Sequence, residues 1–438
     1  MDLVQDPSRL LIATTLVLIY GWVCWWYFAR YKRQAKPVVS QVDWLVAYAS
    51  QSGNAQRLAE QSCSYLQSSG LNAQCCTLNQ LRVSQLQQQS IIFIVSTYGD
   101  GEAPDHARSF FKQLQKHTAP LDTQYVILAL GDSTYPHFCA FGKQLAIQLE
   151  RLQAQPLFPL HCLDRLNHNE LTQWHKHLGQ ALSLAPPAIE TTKQTHKIRL
   201  MQRESLNPNS ASPQLYLLTF ESELNWQAGD ILQITPFNDS QYKMRDYSIA
   251  SAAHQPLQII VRLERHPDYG NGLCSSWLTQ ALTINSELQV QLRSNNNFHA
   301  TEQHNPAIFI GAGSGIAGLR GHLQERASTG KSWLLFGERS AIHDCILQDE
   351  LNTWQQHNPL FQVDLAYSRD GQSAQYVQDL LYNKAAQVKQ WAAENASIYV
   401  CGRLNGMGEG VHTALIDILG SHYLEQLLEQ GRYKRDLY

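Results

Sequence analysis

Three times in its first half, this chain runs from a short apolar stretch into a loop of glycine and hydroxyl residues. Asp43 to Ala49 leads into Ser50-Gln51-Ser52-Gly53-Asn54-Ala55 and then an amphipathic run through Leu58, Ala59, Cys63 and Leu66. Ile91 to Val95 ends in Ser96-Thr97-Tyr98-Gly99-Asp100-Gly101-Glu102, and Tyr125 to Leu130 ends in Gly131-Asp132-Ser133-Thr134-Tyr135-Pro136. Apolar runs of strand length, bounded by turn residues and alternating with helical periodicity, are the repeating unit of a parallel sheet covered on both faces. The repetition predicts a doubly wound α/β unit over residues 42–184. Its loops would gather at the carboxyl ends of the strands, where such sheets bind ligands.

The first loop joins a strand to a helix N-terminus, where backbone N–H groups, serine hydroxyls and the helix dipole favour an anion. It lacks the lysine of a nucleoside-triphosphate loop, so a monophosphate fits better; an ordinary capped turn has the same local sequence. Tyr98 and Tyr135 bring one ring from each of the other two loops, suited to flanking a flat heterocycle. Asp164 follows a further predicted strand, Gln155 to Cys162, and is placed near that ring. Asp100, Glu102, Asp105 and Asp132 form an acidic rim that would steer a basic partner or simply be solvated.

Residues 185–194, with Pro186 and Pro187, read as a linker. From Lys197 to Arg293, short alternating runs predict strands: Gln214 to Phe220, Asp230 to Ile234, Leu257 to Val261 and Glu287 to Gln291. Their regular spacing predicts a small antiparallel barrel over residues 195–303. One of its strands carries Arg245-Asp246-Tyr247-Ser248, a cation, a ring and a hydroxyl on a short run. Gly270 to Leu278 reads as a glycine turn opening a short helix. Residues 304–438 return to strand–loop–helix order, beginning with Ala307 to Gly318 (AIFIGAGSGIAG) and continuing through Ser332 to Phe336, Phe361 to Tyr367 and Ser397 to Val400. This predicts a second open α/β sheet.

A net charge of −3 offers no case for nucleic acid. The nine cysteines form no C-x-x-C pair, which speaks for reduced thiols and against structural zinc or an iron–sulfur cluster. Residues 10–29, LLIATTLVLIYGWVCWWYFA, carry no charge and have the length of a spanning helix. Trp22, Trp25, Trp26 and Tyr27 crowd one end, and Arg30, Lys32, Arg33 and Lys36 follow. After a tail at 1–9, the expectation is a single-pass anchor with a basic tether, 30–41, and the body of the protein in the cytoplasm.

The three loops SQSGNA, STYGDGE and LGDSTY resemble those of flavodoxin and of the FMN domain of diflavin reductases. RDYS, GLCSS, GAGSGIAG and the later Ser368-Arg369 and Cys401-Gly402 resemble the ferredoxin–NADP reductase module. Together their order resembles that of NADPH–cytochrome P450 reductase and the sulfite reductase flavoprotein. The resemblance implies a multidomain α/β fold plus β-barrel, with FMN, FAD and NADPH as cofactors. It places the FMN phosphate on Ser50, Gln51, Ser52, Gly53, Asn54 and Ala55. The FMN ring falls to Thr97, Tyr98, Gly99, Gly131, Asp132 and Tyr135. FAD falls to Arg245, Tyr247, Ser248, Gly272, Leu273, Cys274 and Ser275. The coenzyme falls to Gly311, Gly313 and Ser314, and its 2′-phosphate to Ser368, Arg369 and Tyr376. Ser248, Cys401, Asp436 and Tyr438 are implied at the hydride-transfer site, the Tyr438 ring covering the flavin. The implied activity carries electrons from NADPH through FAD and FMN to a one-electron acceptor, a haem or iron–sulfur protein. A small-molecule acceptor such as a ferric chelate or quinone is the alternative, and an anchor argues against a soluble sulfite reductase complex. The chain departs from the pattern in five places: Ser52 stands where a threonine is usual, there is no room before RDYS for the helical connecting insert, Ala374 replaces a frequent lysine, Gly318-Leu319 replace Pro-Phe, and Arg403 takes a position that is often acidic. The missing insert predicts a first unit tethered more loosely or docked differently.

Overall fold

The computed structural model describes residues 42–50, 53–97, 101–133, 136–185, 195–239, 241–266, 270–300 and 305–438. The expected anchor, residues 10–29, lies outside them, as do Gln51, Ser52, Tyr98, Gly99, Asp100 and Tyr135. Among the described residues no helix is long and apolar enough to cross a membrane.

The first unit contains β1 (Trp44–Ala49), α1 (Asn54–Ser68), β2 (Ala73–Thr77), β3 (Ser90–Ser96) and α2 (Asp105–Lys116). It continues with β4 (Gln124–Gly131), α3 (Ala140–Arg151), β5 (Gln155–Pro156), β6 (His161–Asp164) and α4 (His168–Leu182). The parallel strands run in the order β2-β1-β3-β4-β5, with β6 also on β4. Successive side chains on a strand face opposite ways, so the central strands feed two cores. Leu45, Ala47, Phe93 and Ile127 pack with Phe110 of α2 and Phe141 of α3, while Val46, Ile92, Ile94 and Leu128 pack with Leu58 of α1 and Trp174 of α4. The strand expected from Gln155 to Cys162 is broken into β5 and β6. Pro156 and Pro159 lack the N–H that a ladder needs, and Phe158 between them packs on Trp174 instead.

The second unit has β7 (His196–Ser205), β8 (Leu215–Glu221), β9 (Ile231–Ile234), β10 (Arg245–Ser248), β11 (Leu257–Arg262) and, after the short strands β12 (Arg265–His266) and β13 (Gly270–Asn271) and helix α5 (Leu273–Ser276), β14 (Glu287–Arg293). The antiparallel order is β10-β9-β14-β7-β8-β11. An Ile249–Ile259 bridge and the Ala250 N–H to Gln258 carbonyl bond (2.7 Å) join the end strands, closing the barrel. Only residues 235–244 separate β9 from β10, so no helical insert stands there.

The third unit alternates β15 (Ala307–Ala312), α6 (Ile316–Arg326), β16 (Ser332–Glu338), α7 (Gln348–His357), β17 (Phe361–Tyr367), α8 (Val377–Asn383), α9 (Ala385–Ala393), β18 (Ser397–Gly402), α10 (Glu409–Leu419), α11 (Ser421–Glu429) and β19 (Tyr433–Leu437). Its parallel order, β17-β16-β15-β18-β19, includes a fifth strand that the sequence pattern does not signal. β19 reads Tyr433-Lys434-Arg435-Asp436-Leu437, yet Lys434 and Arg435 are buried.

Candidate functional site

All three units border one cleft of about 410 Å³. The first contributes Ser96 and Thr97 at the end of β3, the barrel contributes Tyr247 and Ser248, and the third contributes Ser314, Asp436 and Tyr438. The loops therefore gather where the sheet topology requires, at the carboxyl ends of β3 and β15.

At its centre, pairing of β18 with β19 sets Cys401 beside Asp436. Ser248 Oγ donates to Asp436 Oδ2 (2.8 Å), and the Cys401 thiol lies 3.7 Å from the same oxygen. Gly318 makes this convergence possible: a Cβ there would stand 2.7 Å from Cys401 Sγ and 3.3 Å from Asp436 Oδ2. Burial pushes the Asp436 carboxyl above its ordinary range, against the Ser248 bond that favours its charge. Burial and the neighbouring Asp436 push the Cys401 thiol well up, so it stays protonated. Tyr438 Oη and Ser314 Oγ are hydrogen-bonded at 2.8 Å, tying this ring to the glycine loop.

Tyr247 lies half-buried, and burial, then the neighbouring Cys274 thiol, pushes its phenol up. Cys274 is buried, so its side chain serves the barrel core and only its backbone is free to meet a phosphate. Ser275 Oγ accepts from the Glu264 N–H and donates to the Gly272 carbonyl, shaping the turn locally. Arg245 and Leu273 are exposed.

The turn Gly313–Gly315 links β15 to α6. Gly313 has φ +57°, and a Cβ there would lie 1.9 Å from Arg262 Nη2, so the barrel's guanidinium rests directly on the loop. Arg262 Nε is buried without a hydrogen-bond partner. Arg339 feels both Arg369 and Arg262 after burial, and all three lower its pKa. Beside them Glu338 is raised to about 7, chiefly by burial, with Arg262 opposing. Three cations within electrostatic reach of one another, with Arg262 resting on the glycine loop, suit a ligand with several phosphate charges. Ser368 and Arg369 are held by backbone bonds to Glu338 and Arg339 (2.9 and 2.8 Å), and Tyr376 is exposed nearby in sequence. Arg262 escapes the sequence reading because it sits on a barrel strand with no glycine motif of its own.

In the first unit, Ser50 is buried and accepts the Ala55 N–H (3.2 Å), while Gly53 takes φ +78° ahead of α1. Arg293 Nη1 would be 3.6 Å from a Cβ at Gly53, and Arg57 is lowered by burial and then by Arg293. Two guanidinium groups beside a helix N-terminus fit a phosphate. Asp164 accepts the Ser133 N–H and hydroxyl (2.8 and 2.7 Å), pinning the loop after β4 to β6. Asp132 lies 3.8 Å from the Arg165 guanidinium and Glu102 pairs with Arg108, so both carboxylates are partnered.

Asp105 overturns its place on the acidic rim. It is buried in a two-pronged pair with Arg435 of β19 (Nε to Oδ2, 2.9 Å), with side-chain exposures of 5% and 3%. Asn297 adds Nδ2 to the Ser50 carbonyl (2.8 Å) and Oδ1 to His106 (3.1 Å), and Lys112 pairs with Glu425. The first unit is thus docked on both others, not loosely tethered.

Residues 46–177 match the flavodoxin family and residues 309–413 the oxidoreductase NAD-binding domain family. The sulfite reductase [NADPH] flavoprotein alpha-component of Bacillus subtilis is 27% identical, with 92% of this chain and 90% of that one aligned. The chain is an NADPH-dependent flavoprotein oxidoreductase. FMN, FAD and NADPH are the cofactors of this diflavin oxidoreductase. The corresponding components of Photobacterium profundum (25%, 90% of this chain and 88% of that one) and Vibrio cholerae (26%, 90% and 87%) are similar. The Bacillus alignment spans 545 positions against the 438 residues here, so the relative carries segments that this diflavin oxidoreductase lacks.

Proposed function

We propose that this diflavin oxidoreductase passes electrons from NADPH to FAD, from FAD to FMN, and from FMN to a one-electron acceptor protein carrying haem or an iron–sulfur centre. The observation that carries the reading is the single cleft bordered by Thr97 of the first unit and by Tyr247, Ser248 and Tyr438 of the other two. When bound, the flavins convert a two-electron hydride donor into a source of single electrons. The chain's own residues bind and orient. Arg262, Arg339 and Arg369 take the coenzyme phosphates, with Arg369 favouring a 2′-phosphate. Asp436 fixes the Ser248 hydroxyl at the hydride-transfer position, and the protonated Cys401 fills the wall beside it. The Tyr438 ring, bonded to Ser314 of the glycine loop, would shield the flavin site and would have to move aside to admit the coenzyme. Arg57 and Arg293 take the FMN phosphate. The names of the relatives favour a partner of the sulfite reductase kind.

The apolar run at residues 10–29 and the basic residues after it support a single-pass anchor with the catalytic units on the cytoplasmic side. Membrane fractionation of the full chain, compared with a form beginning at residue 42, tests the anchor. For the relay, the detergent-solubilised full chain is reduced anaerobically with NADPH and mixed with a haem protein or a ferric chelate. Fast reoxidation by the haem protein is expected. Turnover with the chelate alone would refute the protein acceptor.

A further inference from the structure

The loop after β4 is clasped by β6 at two points, and only one clasp is made. Cys162 and Asp164 lie two apart on β6 and face the same way, while Leu163 between them points into the opposite core. Asp164 already holds Ser133 near the start of the loop. At the loop's far end Cys139 is buried, with its thiol 3.2 Å from the Ala129 carbonyl. Ala129 is the register partner of Cys162, and Cys162 packs against the core cluster that holds Cys139 and Ala129. We propose that Cys139 and Cys162 are a redox modification site, at which hydrogen peroxide closes a disulfide that ties the start of α3 to β6.

Geometry assigns the order of events. Cys162 is the partly exposed member and Cys139 the buried one, so an oxidant reaches Cys162 first. The neighbouring Cys139 thiol, then Lys143, hold the Cys162 thiol below its ordinary value against the effect of burial, which favours its thiolate. Lys143 is held close by its Nζ bond to the Phe138 carbonyl (2.8 Å). The Cys162 thiolate attacks peroxide: an S–O bond forms, the O–O bond breaks, and hydroxide leaves to take up a proton as water. Cys139 then attacks the Cys162 sulfur, forming S–S and breaking S–O, and a second water leaves with the Cys139 proton. Two thiols lose two electrons to one peroxide, which becomes two waters. The other adjacent thiols are unsuited: Cys75 and Cys76 are pushed to about 12 by burial.

The consequence for FMN rests on the proposed role of this loop at the flavin; the chemistry does not. The test treats the FMN-loaded full chain with rising hydrogen peroxide, blocks free thiols with an alkylating agent, and maps linkages by mass spectrometry. The expected first product is a Cys139–Cys162 cross-link, reversible by dithiothreitol and absent in Cys162→Ser, a variant whose melting temperature reports its fold. FMN release, followed by its fluorescence, should slow several-fold in the cross-linked protein alone. Alkylation of both thiols at peroxide levels that oxidise methionine would overturn the site, as would a first cross-link among Cys63, Cys75 and Cys76. A correct cross-link with unchanged FMN release would leave the site standing and refute the loop's role at the flavin.

Discussion

Replacing Arg435 with methionine should undock the first unit while leaving each unit folded. The change keeps apolar bulk but takes from Asp105, whose side chain is 5% exposed, its two-pronged partner, leaving the more distant Arg108 (3.7 Å). Removing one member of a buried pair costs about 3–5 kcal/mol. Undocking rehydrates Asp105, so that cost falls on the docking equilibrium and not on the fold. At 1.4 kcal/mol per factor of ten, docking should weaken by roughly a hundred- to a few-thousand-fold. The exposed Lys112–Glu425 pair, worth about 0–1 kcal/mol, offsets little of this. Stopped-flow spectroscopy after mixing with NADPH should show slowed electron arrival at FMN, and small-angle scattering should show an expanded particle. Combining Arg435→Met with Asp105→Leu should restore much of both, since apolar replacement of a whole buried pair is often neutral. The pH dependence has a definite sign. Burial alone would raise the Asp105 carboxyl, but Arg435, with Arg108 and His106, outweighs it and holds the group below its ordinary range. Docking through this pair is therefore complete above the ordinary carboxylate range and is lost as pH falls through the lowered docked value. An Arg435→Met protein as compact as the parent, with equal inter-flavin transfer, would refute the reasoning.

Two further outcomes follow from the cleft. Gly318→Ala would put a Cβ 2.7 Å from Cys401 Sγ, and overpacking of this kind costs roughly 1–3 kcal/mol; a lowered melting temperature and a disturbed Ser248–Asp436 contact, read as slower FAD reduction, are expected. Glu338 is raised to about 7, and coenzyme phosphates beside it would favour its neutral form further. NADP⁺ affinity measured by calorimetry should therefore fall as pH rises through about 7, and Glu338→Gln should flatten that fall relative to the parent. Because the folded value exceeds the unfolded one, Glu338 also contributes relative stability that is present at acid pH and lost through the same window.

Local pattern was enough for the barrel and for the apolar strands of both sheets, but not for β19. Buried strands such as Ile91 to Val95 are apolar throughout because both faces are covered, and the barrel strands alternate because one face is solvated; both show directly in residue order. The glycine loops were equally legible, since a phosphate seat needs small residues at fixed offsets from a strand. Pro156 and Pro159 also carried their message, the broken strand, although a continuous run of large residues masks it.

Long-range electrostatics were not legible. β19 reads as a polar tail, yet its Arg435 is buried against Asp105 of the first unit, across 330 residues of chain, and its Lys434 against the Asn297 carbonyl of the barrel. Arg262 lies far in sequence from the loop it covers, and Cys139 meets Cys162 only through the pairing of β4 with β6. Sequence determined which segments form strands, loops and helices, because propensity and burial pattern are local. The tertiary structure decided which charges and thiols are partners, because a pair can be recognised only when the chain has brought both members together and removed the water between them.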